Sequence, residues 1–397
     1  MNILKLKNNS TYVYSGCMTT SPTAPGVATY PIHVPDAELH DLARRIGETR
    51  WPDAETADDQ GPALATMREL CAYWADGYDW RRAERFINDT GSFRTTIDGV
   101  DVHFLHVRSP EPRAMPLLLC HGWPGSVLEF ARLIGPLTDP VAHGGRAEDA
   151  FDVVIPSMPG FGFSGQPSST GWGPQRVAAA WIELMDVLGY DRWVAQGGDW
   201  GSAVVEAISR REPAGLAGMH VNLPMVFPTP EEMADATPEE QRMMGRAQRY
   251  QTSLSAYAAE MSTRPQTIGY SLADSPVGLA AWIHTLFQDV AGTEISRDDI
   301  LDDVMLYWLP NAGTSSARLY WEAAREPQQP PVPNSTPAGF SIFPDEAVQA
   351  SRRWIERRYS HVLHYGQLER GGHFAALEQP ELLTQEIRTT FRALRAT

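Results

Sequence analysis

Apolar residues along the chain follow two rhythms, and the places where one gives way to the other outline the architecture. Phe93 to Ile97 and Val100 to Val107 alternate around Asp98-Gly99, a dipeptide suited to a type I′ turn, and predict a β-hairpin. Leu117–Cys120, Phe151–Pro156, Trp193–Gln196 and Leu216–Val221 are short continuous apolar runs of the kind buried strands show. Between them the spacing becomes helical, as in Val177, Trp181, Leu184, Met185 and Leu188 before Gly189, and again after Ser202. Strands alternating with helices predict an α/β fold whose mostly parallel central sheet is covered on both faces.

The flanks read differently. Leu39, Leu42 and Ile46 after Pro35-Asp36 predict one helix, and Leu64, Met67, Leu70, Cys71 and Trp74 a second, followed by an aromatic stretch with Tyr78, Trp80 and Phe86. This part carries no reactive constellation and reads as a surface that wraps another domain. From about Leu223 to Glu326 there are helical patterns without strands, bounded by Pro228 and Pro230 on one side and by Pro327, Pro330, Pro331, Pro333 and Pro337 on the other. An all-helical insertion between strands predicts a lid over the carboxyl edge of the sheet, where α/β ligand sites lie. Strand character returns at Gly339–Phe343 and His361–Tyr365, and Leu382, Leu383, Ile387, Phe391 and Leu394 mark a closing helix. The expected organisation is a mobile tail over 1–26, an amino-terminal wrapping domain over 27–91, a first core part over 92–222, a helical lid over 223–330 and a second core part over 331–397.

Composition narrows the partners. With 49 acidic residues against 33 Lys and Arg the net charge is −16, which disfavours nucleic acid and anionic membrane surfaces. The three cysteines, Cys17, Cys71 and Cys120, form no CxxC pair, and no run is long and apolar enough for a membrane span or a signal peptide. A soluble protein of the reducing cytoplasm is expected.

Three turns carry candidate chemistry. In Gln196-Gly197-Gly198-Asp199-Trp200-Gly201-Ser202 an apolar strand breaks at glycines and runs into a helix, with small residues on both sides of Asp199. That is the spacing of a nucleophile elbow, with a carboxylate where ester hydrolases carry serine. By itself the turn leaves Asp199 equally suited to capping the next helix. His121-Gly122-Trp123-Pro124-Gly125-Ser126 follows a buried strand, a position from which backbone N–H groups can face a developing oxyanion, although an ordinary strand–turn–helix junction looks the same. Gly371-Gly372-His373 sets an imidazole on a tight loop downstream of the elbow, in the chain order nucleophile, acid, histidine.

With these motifs in view the sequence resembles the epoxide hydrolases of the α/β-hydrolase fold, of the microsomal type with an amino-terminal wrapping domain. The likeness runs from about Val27 to the end of the chain. Ser275-Pro276-Val277-Gly278-Leu279-Ala280-Ala281, Gly339-Phe340-Ser341-Ile342-Phe343-Pro344-Asp345-Glu346 and Arg370 to Ala376 fit the family pattern too. The resemblance implies Glu346 as the acid of the triad, with its neighbour Asp345 as rival, and Tyr257 and Tyr320 as lid tyrosines. The apolar amino-terminal anchor of the membrane forms has no counterpart here. No cofactor or metal is implied, and a homodimer is possible.

On that likeness Asp199 attacks an epoxide carbon, Tyr257 and Tyr320 protonate the departing oxygen, and His373, oriented by Glu346, activates a water that hydrolyses the resulting ester. The backbone N–H groups of Trp123 and Trp200 form the oxyanion hole. Trp123, Trp200, Phe161 and Phe374 are expected to line the surface for a small apolar epoxide. Haloalkane dehalogenases share the aspartate and a following tryptophan, but two phenols suit an alkoxide that needs a proton better than a halide. A non-catalytic protein holding a small ligand under the lid is the other alternative.

Overall fold

The middle of the sheet is built from the continuous apolar runs, because a strand covered on both faces has no polar side to show. The protein is seen in a computed structural model that describes residues 24–293, 295–327 and 333–395. Among these, β1 (Ala28–Thr29), β2 (Ser92–Ile97), β3 (Val100–Val107), β4 (Met115–Cys120), β5 (Phe151–Pro156), β6 (Trp193–Gly197), β7 (Leu216–Val221), β8 (Ala338–Ile342) and β9 (Val362–Gln367) form one sheet. Their spatial order is β1-β2-β3-β5-β4-β6-β7-β8-β9. From β5 onward all neighbours pair in parallel, while β1, β2 and β3 form an antiparallel flank. The hairpin turn is as expected, with Asp98 at φ 49° and Gly99 at φ 77°, both left-handed. β5 lies on one side of β4 and β6 on the other, so the winding reverses at β4. The loops leaving β4 and β6 part there and open a crevice at the carboxyl edge.

Three helices precede the core: α1 (Asp36–Gly47), α2 (Leu64–Asp76) and α3 (Trp80–Gly91). α3 gives the aromatic stretch, for which the sequence suggested no element, a helical form. Asp79 caps it by accepting the Arg81 N–H at 2.9 Å, and Trp80, Ala83, Ile87 and Thr90 fall on one buried face. The sheet is flanked by α4 (Ala131–Thr138), α5 (Pro174–Val187) and α6 (Asp199–Arg210), and later by α14 (Arg352–Arg358), α15 (Ala375–Glu378) and α16 (Pro380–Arg392). The insertion between β7 and β8 is α7 (Pro230–Ala234), α8 (Pro238–Arg249), α9 (Ala256–Thr263), α10 (Pro265–Asp274), α11 (Pro276–Val290), α12 (Arg297–Trp308) and α13 (Gly313–Ala323), with a π turn at Tyr250–Leu254. The expected tail falls outside the described residues up to position 23, as do Pro330 and Pro331.

The wrapping helices grip the lid rather than the sheet alone. Arg82 Nη2 donates to both oxygens of Asp302 at 2.6 Å, Tyr78 donates to the same carboxylate at 2.6 Å, and Tyr73 donates to Asp298 at 2.7 Å. From the core, Arg132 donates to both oxygens of Asp299 at 2.8 Å. Asp299 and Asp302 of α12 therefore enter the interior paired with arginines, the condition under which buried charge is tolerated. Among the described residues, no helix is long and apolar enough to cross a membrane.

Candidate active site

Asp199 stands at the head of α6 with φ 46°, a conformation that costs a non-glycine residue energy and is held only where the surroundings impose it. Gly198, not Asp199, occupies the N-cap position, so the capping role open to Asp199 from the sequence is not taken. The carboxylate instead turns into the crevice, where Oδ1 accepts the Trp123 N–H at 2.7 Å. The turn exists because backbones touch: a side chain on Gly201 would collide with the Cys120 carbonyl, and one on Gly122 with the Asp199 carboxylate. Trp200 is the second residue of α6, so its N–H is one of the four that a helix N-terminus leaves without an intrahelical acceptor.

The loop after β4 is braced by His121. Its buried ring accepts the Met158 N–H on Nε2 at 3.1 Å, which leaves Nδ1 to donate to the Gly122 carbonyl at 2.9 Å. Burial lowers its pKa to about 4, so this histidine is a neutral strut and no base.

His373 comes from the loop between β9 and α15. Nδ1 lies 3.0 and 3.1 Å from the two oxygens of Glu346, and Nε2 lies 3.4 Å from Asp199 Oδ2. Burial alone would depress the imidazole, but the carboxylates of Glu346 and Asp199 outweigh it and hold its pKa well above the usual value. Glu346 is buried and also accepts the Ala347 N–H at 2.7 Å, whereas its rival Asp345 is half exposed and faces Arg246 at 3.9 Å. The geometry therefore puts Glu346, and not Asp345, behind the histidine.

Above the carboxylate, Tyr257 in α9 and Tyr320 in α13 are buried, and their ring centroids are 5.8 Å apart. Tyr257 stacks on Trp123 at 5.2 Å, and Tyr320 meets Trp200 edge-on at 4.8 Å. Burial raises both phenols well above their ordinary pKa, so both are neutral donors. Together with Asp199, Trp200, Glu346 and His373 they line a cavity of about 130 Å³ whose other walls include Leu223, Met225, Leu286, Val290 and Val348.

Tyr250 also lines this cavity, with its hydroxyl 2.5 Å from that of Tyr257. Sequence reasoning missed it. Its spacing of seven from Tyr257 puts two tyrosines on one helical face, a signal that could have marked it. Three expected substrate contacts are corrected. Phe161 packs on His121 and Tyr307, Phe374 stacks on Phe287 at 4.3 Å behind His373, and the Trp123 indole lies beneath Tyr257; none of these rings forms the cavity wall. Among the described residues, no cluster of three or more His, Cys, Asp or Glu side chains is placed to ligate a metal ion.

The chain matches the family described as epoxide hydrolase N terminus over residues 27–130 and the alpha/beta hydrolase fold over residues 115–271. It is 51% identical over 379 residues to an epoxide-hydrolase-type protein of Stigmatella aurantiaca, covering 94% of this chain and 86% of that one. It is 33% identical over 398 residues to epoxide hydrolase 1 of Sus scrofa, covering 91% and 88%. The Aspergillus niger epoxide hydrolase structure superposes with a TM-score of 0.84 at 28% identity, over 95% of this chain and 97% of that one. The chain belongs to the epoxide hydrolases of the α/β-hydrolase fold.

Proposed function

We propose that the protein converts an apolar epoxide and water to a vicinal diol in two half-reactions joined by an ester on Asp199. The observation that carries this reading is the division of one carboxylate: Oδ1 rests on the Trp123 N–H, while Oδ2 lies beside His373 and beneath two neutral phenols. Oδ2 attacks the epoxide carbon, the ring C–O bond breaks, and the departing oxygen takes a proton from Tyr257 or Tyr320. Oδ1 is then already seated where the ester carbonyl must be polarised. As water adds, its negative charge falls on the N–H groups of Trp123 and Trp200, each worth about 3–4 kcal/mol of barrier.

Ester formation also arms the base. In the resting enzyme two carboxylates hold a proton on His373. Alkylation neutralises one of them, which lowers the affinity of the imidazole for its proton and frees Nε2 to take one from water. When the tetrahedral intermediate collapses, the bond from the Asp199 carboxyl carbon to the ester oxygen breaks, His373 gives the proton taken from water to the diol oxygen, and the proton left on the Asp199 carboxyl passes to Nε2, restoring the one the imidazole lost on alkylation. The walls offered by Leu223, Met225, Leu286, Val290 and Val348 contain no charge to solvate a polar substrate, which favours an apolar one.

The test separates the half-reactions. His373→Gln keeps the nucleophile and removes the base, so mixing it with a styrene-type epoxide leaves the protein heavier by the mass of one substrate. Intact-protein mass spectrometry reads this directly. Diol release at the parent rate with no adduct would remove both assignments.

A further inference from the structure

Tyr250 lines the cavity, yet the two half-reactions leave it without a task. It opens the π turn that joins α8 to α9, a widened helical turn that recurs at functional sites and here rotates the ring inward. Its oxygen is 2.5 Å from the Tyr257 oxygen, at the short end for two hydroxyls. The two rings differ in depth: Tyr257 is buried, and Tyr250 is only half-buried and nearer solvent. Tyr257 is already fixed as a ring by Trp123 and Tyr320, but packing cannot set the torsion of a hydroxyl.

We propose that Tyr250 is a positioning residue for epoxide opening, which aims the Tyr257 hydroxyl and restores its proton after each turnover. The inference rests on the reading of Tyr257 as an oxygen donor. With Tyr250 as the donor in this hydrogen bond, the Tyr257 O–H is left to point at the epoxide oxygen. When Tyr257 gives its proton to the opening oxygen, a phenolate is left in an apolar cavity, where burial strongly favours the neutral form. The Tyr250 O–H bond then breaks, its proton forms the new Tyr257 O–H bond, and the Tyr250 phenolate, nearer the mouth, is reprotonated by water or buffer acid. No redox change is involved, and the proton entering from solvent balances the one given to the substrate oxygen.

The experiment is a double-mutant cycle on alkylation, followed by rapid mixing with excess epoxide and tryptophan fluorescence. Tyr250→Phe keeps the ring and is expected to slow alkylation about tenfold, the loss of one hydrogen bond, while ester hydrolysis changes by less than about twofold. Tyr257→Phe is expected to slow it at least as much. The decisive variant is Tyr250→Phe with Tyr257→Phe, which is expected to alkylate no more slowly than Tyr257→Phe alone, because Tyr250 then has nothing to serve. A loosened lid would instead slow the double variant by the product of the single effects, and that result overturns the proposal. So does an unchanged rate in Tyr250→Phe when Tyr257→Phe is slow. If Tyr257→Phe itself alkylates normally, the donor reading fails and the relay falls with it, an outcome distinct from the other two.

Discussion

The two layers that meet across the cavity hold their reactive groups differently. On the sheet side Asp199, Glu346 and His373 ride on turns at the ends of β6, β8 and β9, and main-chain hydrogen bonds pin them: Trp123 N–H to Asp199 at 2.7 Å, Ala347 N–H to Glu346 at 2.7 Å, His373 N–H to the Val290 carbonyl at 3.2 Å. On the lid side Tyr257 and Tyr320 project from within α9 and α13 and are held by ring contacts with Trp123, Trp200 and one another. Main-chain bonds fix positions to fractions of an ångström, as attack of water on a bound ester requires. On the proposed mechanism the layers divide the labour, with opening dependent on both and hydrolysis on the sheet side.

That division predicts its largest effect in the lid. Two phenols directed at one oxygen are partly redundant, and each single Tyr→Phe change costs a hydrogen bond to a developing charge, about ten- to a hundredfold in alkylation. Tyr257→Phe with Tyr320→Phe together should lower alkylation by about a thousandfold or more, with the rings still filling their space. Hydrolysis of a preformed ester should continue near the parent rate in single-turnover measurements. An equal loss in both steps would mean that the lid also positions the water, and the contrast between the layers would collapse.

The same contrast explains what the sequence could show. Turns advertise themselves, because only glycine tolerates the contacts that Gly201 and Gly122 make with Cys120 and Asp199, so Asp199, Trp123 and His373 stood out by spacing, whereas Glu346 came from family likeness. The buried strands were legible from apolar runs. Tyr257 and Tyr320 lie in ordinary helix, where one tyrosine looks like any packed ring, and only family likeness singled them out. Tyr250 escaped because the only sequence signal for it, a spacing of seven from Tyr257, is shared by many packed helical pairs and a π turn adds no residue signature of its own. α3 was seen only as an aromatic stretch and not as a helix because its charged outer face, with Arg81, Arg82 and Arg85, hides the inner stripe of Trp80, Ala83 and Ile87. Phe161 and Phe374 were misplaced for a related reason: sequence proximity to reactive residues does not tell which side of a wall a ring occupies.

The next effect concerns the sheet side alone. Glu346→Gln removes the charge that most strongly holds a proton on His373. Hydrolysis should fall about a hundredfold, the cost of a lost charged hydrogen bond, with alkylation nearly unchanged. The pH dependence has a defined sign. Since Glu346 raises the imidazole pKa, its loss lowers that pKa, so the histidine becomes a free base at lower pH and the acid limb of the hydrolysis profile moves toward acid. NMR titration of the His373 ring in the resting enzyme reads the same shift. Movement toward alkaline pH would contradict the assigned pair.

The smallest effect lies at the seam between the layers, where Glu378 joins them. Its carboxylate accepts the N–H groups of Gly292 at 2.7 Å and Thr293 at 2.9 Å, just past lid helix α11, and those of Gly372 at 3.0 Å and Phe374 at 2.9 Å, on either side of His373. One side chain thus ties the loop of the base to the end of a lid helix. Glu378→Gln retains one oxygen in place of two, so some of these four N–H groups lose their acceptor and the loop gains freedom without losing His373. Hydrolysis should slow about tenfold, as one or two neutral hydrogen bonds would suggest, while alkylation, which needs no base, stays within about twofold. Single-turnover kinetics of each step decides it. A drop confined to hydrolysis places Glu378 with the sheet side, as a support for the base that borrows the lid as an anchor. An equal drop in both would mean that the end of α11 governs the phenols as well, and that the lid and the histidine loop move as one unit.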